Sequence, residues 1–243
     1  MAPPIPAAST ALGAGIPMYG HPGTVAPAWA ALALPNIPVH WVILNQASGP
    51  GDKEDPVLYD AARAVRDAGT PVLGYITLQG GSRDDFFNNA DADLYVSRGF
   101  NGAFLDECPA DSGHLQSVAL TVLRQRAKGM GKVVLNPGVI PAQGYCDIAD
   151  QVIVFEGDLP TYRRATFPDW MRSYPATRFA HLVHGVRTAS DAAEVLRLAR
   201  RRWCSTVYAH STIYTPTTNT WDALPTYWPT FSRTLAGSSV PGA

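Results

Sequence analysis

Two acidic residues stand where an apolar, strand-like run stops. Asp106 closes the run Ala103, Phe104, Leu105, and Glu156 closes Val152, Ile153, Val154, Phe155. A carboxylate so placed is carried to the end of a buried strand, where it either caps the next segment or faces a pocket. Two carboxyl groups in one pocket can break a glycosidic bond: one protonates the departing oxygen while the other attacks the sugar or activates a water. A separation of about 5–5.5 Å suits retention of configuration, and about 6.5–9.5 Å suits inversion. A glutamate beside a second carboxylate in partly apolar surroundings has its proton affinity raised, as an acid catalyst requires. Glu107 follows Asp106 directly. Strand alternation turns neighbouring side chains to opposite faces, but the rule loosens at a strand end, so Glu107 is also a candidate for the groove.

The elements that must position these groups recur along the chain. Apolar, β-branched runs predict strands over 16–20, 39–45, 72–77, 102–106, 132–136, 151–156, 178–184 and 206–210. Helical patterns lie between them over 57–68, 84–97, 115–128 and 190–202, with shorter helices over 25–34 and 222–235 and short, partly helical fifth and sixth connections. Strands apolar on both faces belong to a parallel sheet covered by helices. An open doubly wound sheet competes, but eight repeats without a glycine-rich first turn favour a closed (β/α)8 TIM barrel, which needs about 250 residues; the chain has 243. The expected division is a flexible N-terminal leader over 1–14, one catalytic barrel over 15–236 and a flexible tail over 237–243.

A barrel gathers all its strand C-termini at one mouth. In order, the strands end in Tyr19 with His21, Asn45, Thr77, Asp106 with Glu107, Asn136, Glu156, His184 and His210. Each has an ordinary structural reading alone, as a turn residue or a satisfied core histidine; together they converge on one polar pocket. Tyr19, Tyr75, Tyr145, Tyr208, Tyr214, Trp221, Tyr227 and Trp228 offer flat faces with a polar handle for sugar rings, although Tyr75 and Tyr208 also suit plain core positions. Expected substrate-binding residues are Tyr19, His21, Asn45, Tyr75, Arg83, Asn136, His184, Tyr208 and Trp228.

Composition removes other classes. With 46% apolar and 16% charged residues and a formal net charge of −1, the chain suits a packed core and not a nucleic-acid partner. The run Arg200, Arg201, Arg202 complements a helix C-terminus. No stretch approaches the roughly 18 apolar residues of a membrane span, and the N-terminus lacks the basic and apolar regions of a signal peptide. No HxH or HExxH pattern appears among six histidines, so neither a metal nor another cofactor is expected. No glycine-rich phosphate turn follows the last two strands.

The motifs IPMYGHPG, WVILNQASGPG, PVLGYITLQGGSR, NGAFLDE, VVLNPG, YCDIADQVIVFE and LPTYW follow one another as in the spherulin 4-like family, which the chain resembles from about residue 16 to 229. That family includes secreted fungal enzymes of glycoside hydrolase family 135. The resemblance implies a (β/α)8 barrel that cuts α-1,4-linked N-acetylgalactosamine or galactosamine exopolysaccharide of biofilm matrices in an endo fashion. It matches Asp106 to the family's first catalytic acid, Glu107 to its neighbour and Glu156 to the acid ending the sixth strand. By analogy with a retaining mechanism, Asp106 is assigned as nucleophile and Glu156 as acid/base, with the two roles exchangeable. It further implies an extracellular protein whose partner is a polysaccharide or oligosaccharide; a monomer is expected, with neither a nucleic acid nor a membrane as partner. The turn Thr77-Leu78-Gln79-Gly80-Gly81 and the segment YAHSTIY from Tyr208 depart from the family pattern, which bears on subsite preference. A carbohydrate-binding barrel without turnover is the competing function. Cys108 and Cys146 follow neighbouring strands and could form a disulfide outside the cell; three buried thiols, with Cys204, are the alternative.

Overall fold

The computed structural model describes residues 10–215 and 217–240. Eight strands, β1 (Ala14–Pro17), β2 (Val39–Leu44), β3 (Val72–Thr77), β4 (Gly102–Asp106), β5 (Lys132–Leu135), β6 (Gln151–Asp158), β7 (Phe179–His184) and β8 (Thr206–Ala209), pair in parallel in sequence order. The ring closes through Gly13, which bridges Thr206, accepts from the Val207 N–H at 2.9 Å and donates to the Ser205 carbonyl at 3.0 Å. Helices α1 (Pro22–Leu32), α2 (Pro56–Asp67), α3 (Asp85–Ser97), α4 (Leu115–Ala127), α5 (Tyr145–Ile148), α6 (Leu159–Arg164), α7 (Ala189–Arg201) and α8 (Trp228–Ala236) alternate with them. The chain is a (β/α)8 barrel.

Local chemistry sets the helix starts. Asp55 accepts from the Val57 and Leu58 N–H groups ahead of α2, Asp84 from Phe86 ahead of α3, and Thr188 from Asp191 ahead of α7, each satisfying donors that the first turn leaves open. Gly69 and Gly129 follow α2 and α4 with φ of 100° and 99°, the left-handed conformation that stops a helix most cheaply at glycine. Two expected helices differ. The first begins earlier, at Pro22, and is kinked at Val25 ahead of Pro27. The last begins only at Trp228, with a proline at its start.

The first strand lies over Ala14–Pro17 and not over 16–20: the Tyr19 N–H donates to the Trp221 carbonyl at 2.9 Å, so the chain has left the sheet by then. Residues 1–9 of the expected leader lie outside the described residues; Thr10 and Ala11 pair antiparallel with Val240 and Ser239. The expected tail is described as far as Val240. Cys108, Cys146 and Cys204 are buried free thiols, and no bond joins the first two.

Side-chain parity aims the interior. A Cβ on Gly74 would meet the Tyr95 ring of α3 at 2.4 Å, so Gly74 faces the helices and its neighbour Tyr75 faces inward. Trp41 of β2 reaches across the barrel to donate to Gln151 of β6 at 2.6 Å, which puts both inside and carries Asn45 inward by the same alternation. Phe104, beside both Trp41 and Tyr75, marks the inner face of β4, which Asp106 shares. In β6 simple alternation from Gln151 would turn Glu156 outward. The strand instead advances two residues, Ile153 to Phe155, while β7 advances one, Ala180 to His181. This bulge reverses the parity. Phe155 then packs outward on Tyr162 of α6 at 4.8 Å, and Glu156 enters the barrel mouth.

Candidate active site

The C-terminal ends of the strands surround a cavity of about 610 Å³. Its floor and walls include Tyr19, Asn45, Tyr75, Phe104, Asp106, Asn136, Glu156 and Leu182 from the barrel. Ser48 follows β2, and Tyr214, Thr215, Thr217, Thr218, Asn219 and Trp221 come from the segment after β8. The two carboxylates are joined by one amide. Asn136 Nδ2 donates to Asp106 Oδ1 at 2.7 Å and to Glu156 Oε2 at 2.8 Å, while its Oδ1 accepts from the Gly138 N–H at 3.0 Å. That third bond fixes which end of the amide faces the acids, since only the nitrogen end carries donors. The two accepting oxygens are therefore no further apart than the two bonds laid end to end, about 5.5 Å.

The two acids differ in environment. Burial pushes the Glu156 carboxyl up to about 7 and the Asp106 charge adds to this, against donors from Asn136 and the Trp221 indole. Burial also raises Asp106 above the usual aspartate range, but three donors oppose it: the Tyr75 phenol, the Glu107 backbone N–H and the Asn136 amide. A carboxyl with few donors keeps its proton, and one held by several stays ionised. At neutral pH the pair is suited to one proton on Glu156 and a charge on Asp106, the division of labour that two-carboxylate sites use.

Glu107 takes a different course. It adopts φ 50°, uncommon for a residue with a side chain, is exposed, and accepts from Thr77 Oγ1 at 2.5 Å. Outside the cavity lining, it ties β4 to the turn after β3, where the Gly80 N–H also donates to the Glu107 carbonyl. Of the residues expected to bind substrate, Tyr19, Asn45, Tyr75 and Asn136 line the cavity, whereas His21, Arg83, His184, Tyr208 and Trp228 do not. His21 caps α1, its Nδ1 accepting from the Gly23 N–H at 3.0 Å, and its Nε2 meets Asp55 at 3.1 Å. Trp228 is buried at the start of α8 beside Phe231. Tyr208 does face inward, but Trp221 lies over it with ring centroids 5.8 Å apart and closes it off. His184 and His210 also pack edge-on against Trp221.

Arg83 donates to Asp91 at 2.7 Å and Asn88 at 3.0 Å, with both members of the ion pair less than a fifth exposed. A removed partner leaves a poorly hydrated charge behind. Arg83→Ala is accordingly expected to lose about 3 kcal/mol of stability, the low end for a pair not wholly buried, while KM stays within about twofold. Denaturant unfolding and steady-state kinetics check the two parts; a large KM change at unaltered stability would place Arg83 at the substrate.

Sequence reasoning missed Ser48, Phe104 and the threonines and Asn219 of the last loop. Counting back by two from Asp106 could have found Phe104. Nothing in the loop's composition tells which face meets the cavity. Among the described residues no three His, Cys, Asp or Glu side chains are grouped as metal ligands would be, and no helix is long and apolar enough to cross a membrane.

These features define a (β/α)8 barrel with an amide-bridged acid pair at its mouth. The profile of the spherulation-specific family 4 matches residues 14–235, and the chain belongs to that family. It is 27% identical to spherulin-4 of Physarum polycephalum over 187 residues, which cover 72% of this chain and 56% of that protein. The chain thus matches little more than half of that relative's length. Among solved structures it resembles Aspergillus clavatus Sph3, crystallised in complex with GalNAc, with a TM-score of 0.75 and 21% identity over 93% of this chain and 98% of the other. A GH113 β-1,4-mannanase (TM-score 0.54, 10% identity, 95% and 98% covered) and a chitinase from Chromobacterium violaceum (0.53, 13%, 94% and 99%) share the fold.

Proposed function

We propose that the protein is an endo-acting glycoside hydrolase that cleaves α-1,4-linked N-acetylgalactosamine or galactosamine exopolysaccharide with retention of configuration. The observation that carries this reading is the single amide joining Asp106 and Glu156. It keeps one oxygen of each acid within about 5.5 Å of the other, which supports the closely spaced pair of a covalent, two-step displacement over the wider spacing of direct inversion. Asp106, whose carboxylate accepts from the Asn136 amide, attacks the anomeric carbon. Glu156, protonated near neutrality, gives its proton to the departing oxygen and then takes one from the water that releases the enzyme. The sugar class rests on family membership and on the GalNAc complex of the A. clavatus relative. An extracellular polysaccharide of the biofilm type is the corresponding partner, met by a monomer.

The test is to incubate the protein with α-1,4-linked N-acetylgalactosamine oligosaccharides, with products sized by mass and first-formed anomers followed by NMR. Shorter oligosaccharides appearing first as the α anomer are expected; β products would overturn retention, and no new reducing ends would overturn the hydrolase reading. Because Glu156 must carry its proton and Asp106 must not, kcat/KM is expected to be bell-shaped against pH. Its alkaline limb should fall near 7, and its acid limb should lie above the ordinary aspartate value as Asp106 protonates. An alkaline limb that stays flat past pH 9 would remove Glu156 from the acid's role.

A further inference from the structure

We infer that the segment after β8 builds an outer sugar subsite in which Tyr214 is the stacking platform for a neutral pyranose ring. This deepens the hydrolase reading and rests on it. Large apolar side chains in this protein are overwhelmingly buried; Tyr59, Tyr95, Tyr145, Tyr162 and Tyr208 are all at 0% exposure. Tyr214 is 62% exposed, and of the strongly exposed large apolar side chains among the described residues it alone lines the cavity. An aromatic ring left in water beside a pocket costs hydration that a ligand's apolar face would recover.

The backbone fixes where that ring stands. The Gly185 N–H donates to the Thr212 carbonyl at 3.0 Å and the Val186 N–H to the His210 carbonyl at 2.8 Å, lacing the start of the segment to the turn after β7. A Cβ on Gly185 would meet Ile213 at 3.0 Å, so the two turns are in close contact. Thr215 and Thr218 form a bridge beyond Tyr214. The segment ends at Trp221, wedged among Tyr208, His184 and His210 and lining the same cavity as Glu156. One wall therefore runs from the acid, at Trp221, past Asn219 and the threonines to Tyr214 at the rim. Along it stand hydroxyl and amide groups that match sugar hydroxyls, and no cation is among the residues that line the cavity. With two carboxyl groups at the floor, the wall suits neutral rings and disfavours uronates or sulfated sugars. Tyr214 is exposed where Asp106 and Glu156 are only partly so, which puts it on the solvent side of the same cavity and assigns it to the second or a later ring of a chain.

The experiment compares wild type, Tyr214→Ala and Tyr214→Phe on two probes: an α-1,4-linked N-acetylgalactosamine oligosaccharide ladder and α-N-acetylgalactosaminyl fluoride, whose leaving group offers no further ring. Tyr214→Ala is expected to raise KM for the longer oligosaccharides roughly three- to tenfold, to leave kcat/KM on the glycosyl fluoride unchanged and to be rescued by Tyr214→Phe. An equal loss on both probes, or none on the ladder, would overturn the platform. Binding of the same ladder to Asp106→Asn, with and without Tyr214→Ala, separates this from the hydrolase reading. If wild type turns over neither probe but the Tyr214 change still weakens binding, the activity fails and the subsite stands. If it leaves binding unchanged, the subsite fails.

Discussion

Asp106→Asn and Glu156→Gln are each expected to lower kcat/KM for the oligosaccharide by roughly a thousandfold or more, a loss of about 4 kcal/mol of transition-state stabilisation. The losses should differ in kind. Without Asp106 the covalent intermediate cannot form, and no leaving group restores the rate; a small external nucleophile such as azide can take its place and deliver the inverted glycosyl azide. Without the Glu156 proton, the penalty scales with the leaving group, so an activated aryl glycoside should lose far less than the natural polymer. Stability supplies an independent reading. Glu156 has its folded-state proton affinity raised from the ordinary 4.5 to about 7. Its favourable contribution is therefore complete below about pH 4.5 and is lost as pH rises through about 7, where the buried charge costs on the order of 3 kcal/mol. Glu156→Gln carries no such charge. It should melt with wild type at pH 4 and above it at pH 8, while remaining inactive at both. Near-native turnover in either variant would end the assignment of that residue.

The acid pair and its bridging amide were legible because each follows an uninterrupted apolar run: Asp106 after AFL, Asn136 after VVL and Glu156 after VIVF. In a barrel such a run can only deliver its last residue to one rim. The direction of each side chain was less accessible. Counting by twos from Gln151 aims Glu156 at the helices, and only the extra residue between Ile153 and Phe155 turns it inward; a bulge leaves no mark in an all-apolar run. Tyr75 suits a core position by composition but faces the cavity, because Gly74 beside it yields its space to Tyr95. Tyr208 shows the converse. It has the inward parity, and a tryptophan thirteen positions later covers it. Glu107 should point away from Asp106 by strand alternation, yet its positive φ brings its side chain to Thr77, which shares the inward parity of Tyr75, and its charge acts on both Asp106 and Tyr75. Parity, bulges and long-range covering are properties of the assembled sheet, and single-strand patterns do not encode them.

The amide itself offers the second large effect. Asn136 donates both of its amide hydrogens to the acids, and the Gly138 N–H holds it in that orientation. Its bonds lower the proton affinity of each acid, so Asn136→Ala should raise both. The alkaline limb of the pH profile then moves above 7 and the acid limb moves up with it, shifting the whole bell in the alkaline direction. Loss of a preorganised donor at a charged site typically costs about 10²–10³ in kcat, and a fall of that order is expected here, with KM little altered because the amide faces the acids and not the sugar's outer rings. Asn136→Asp should be worse. It replaces a donor by a third carboxyl within bonding distance of the other two, so that at least one of the three must hold a proton, and the nucleophile competes for it. The measurement is kcat against pH for the two variants beside wild type. An Ala variant that lost activity with an unmoved profile would make Asn136 a contact for substrate and not a governor of the pair. A variant with full activity would mean that the close approach of Asp106 and Glu156 does not depend on the amide, and would remove the observation on which retention is argued.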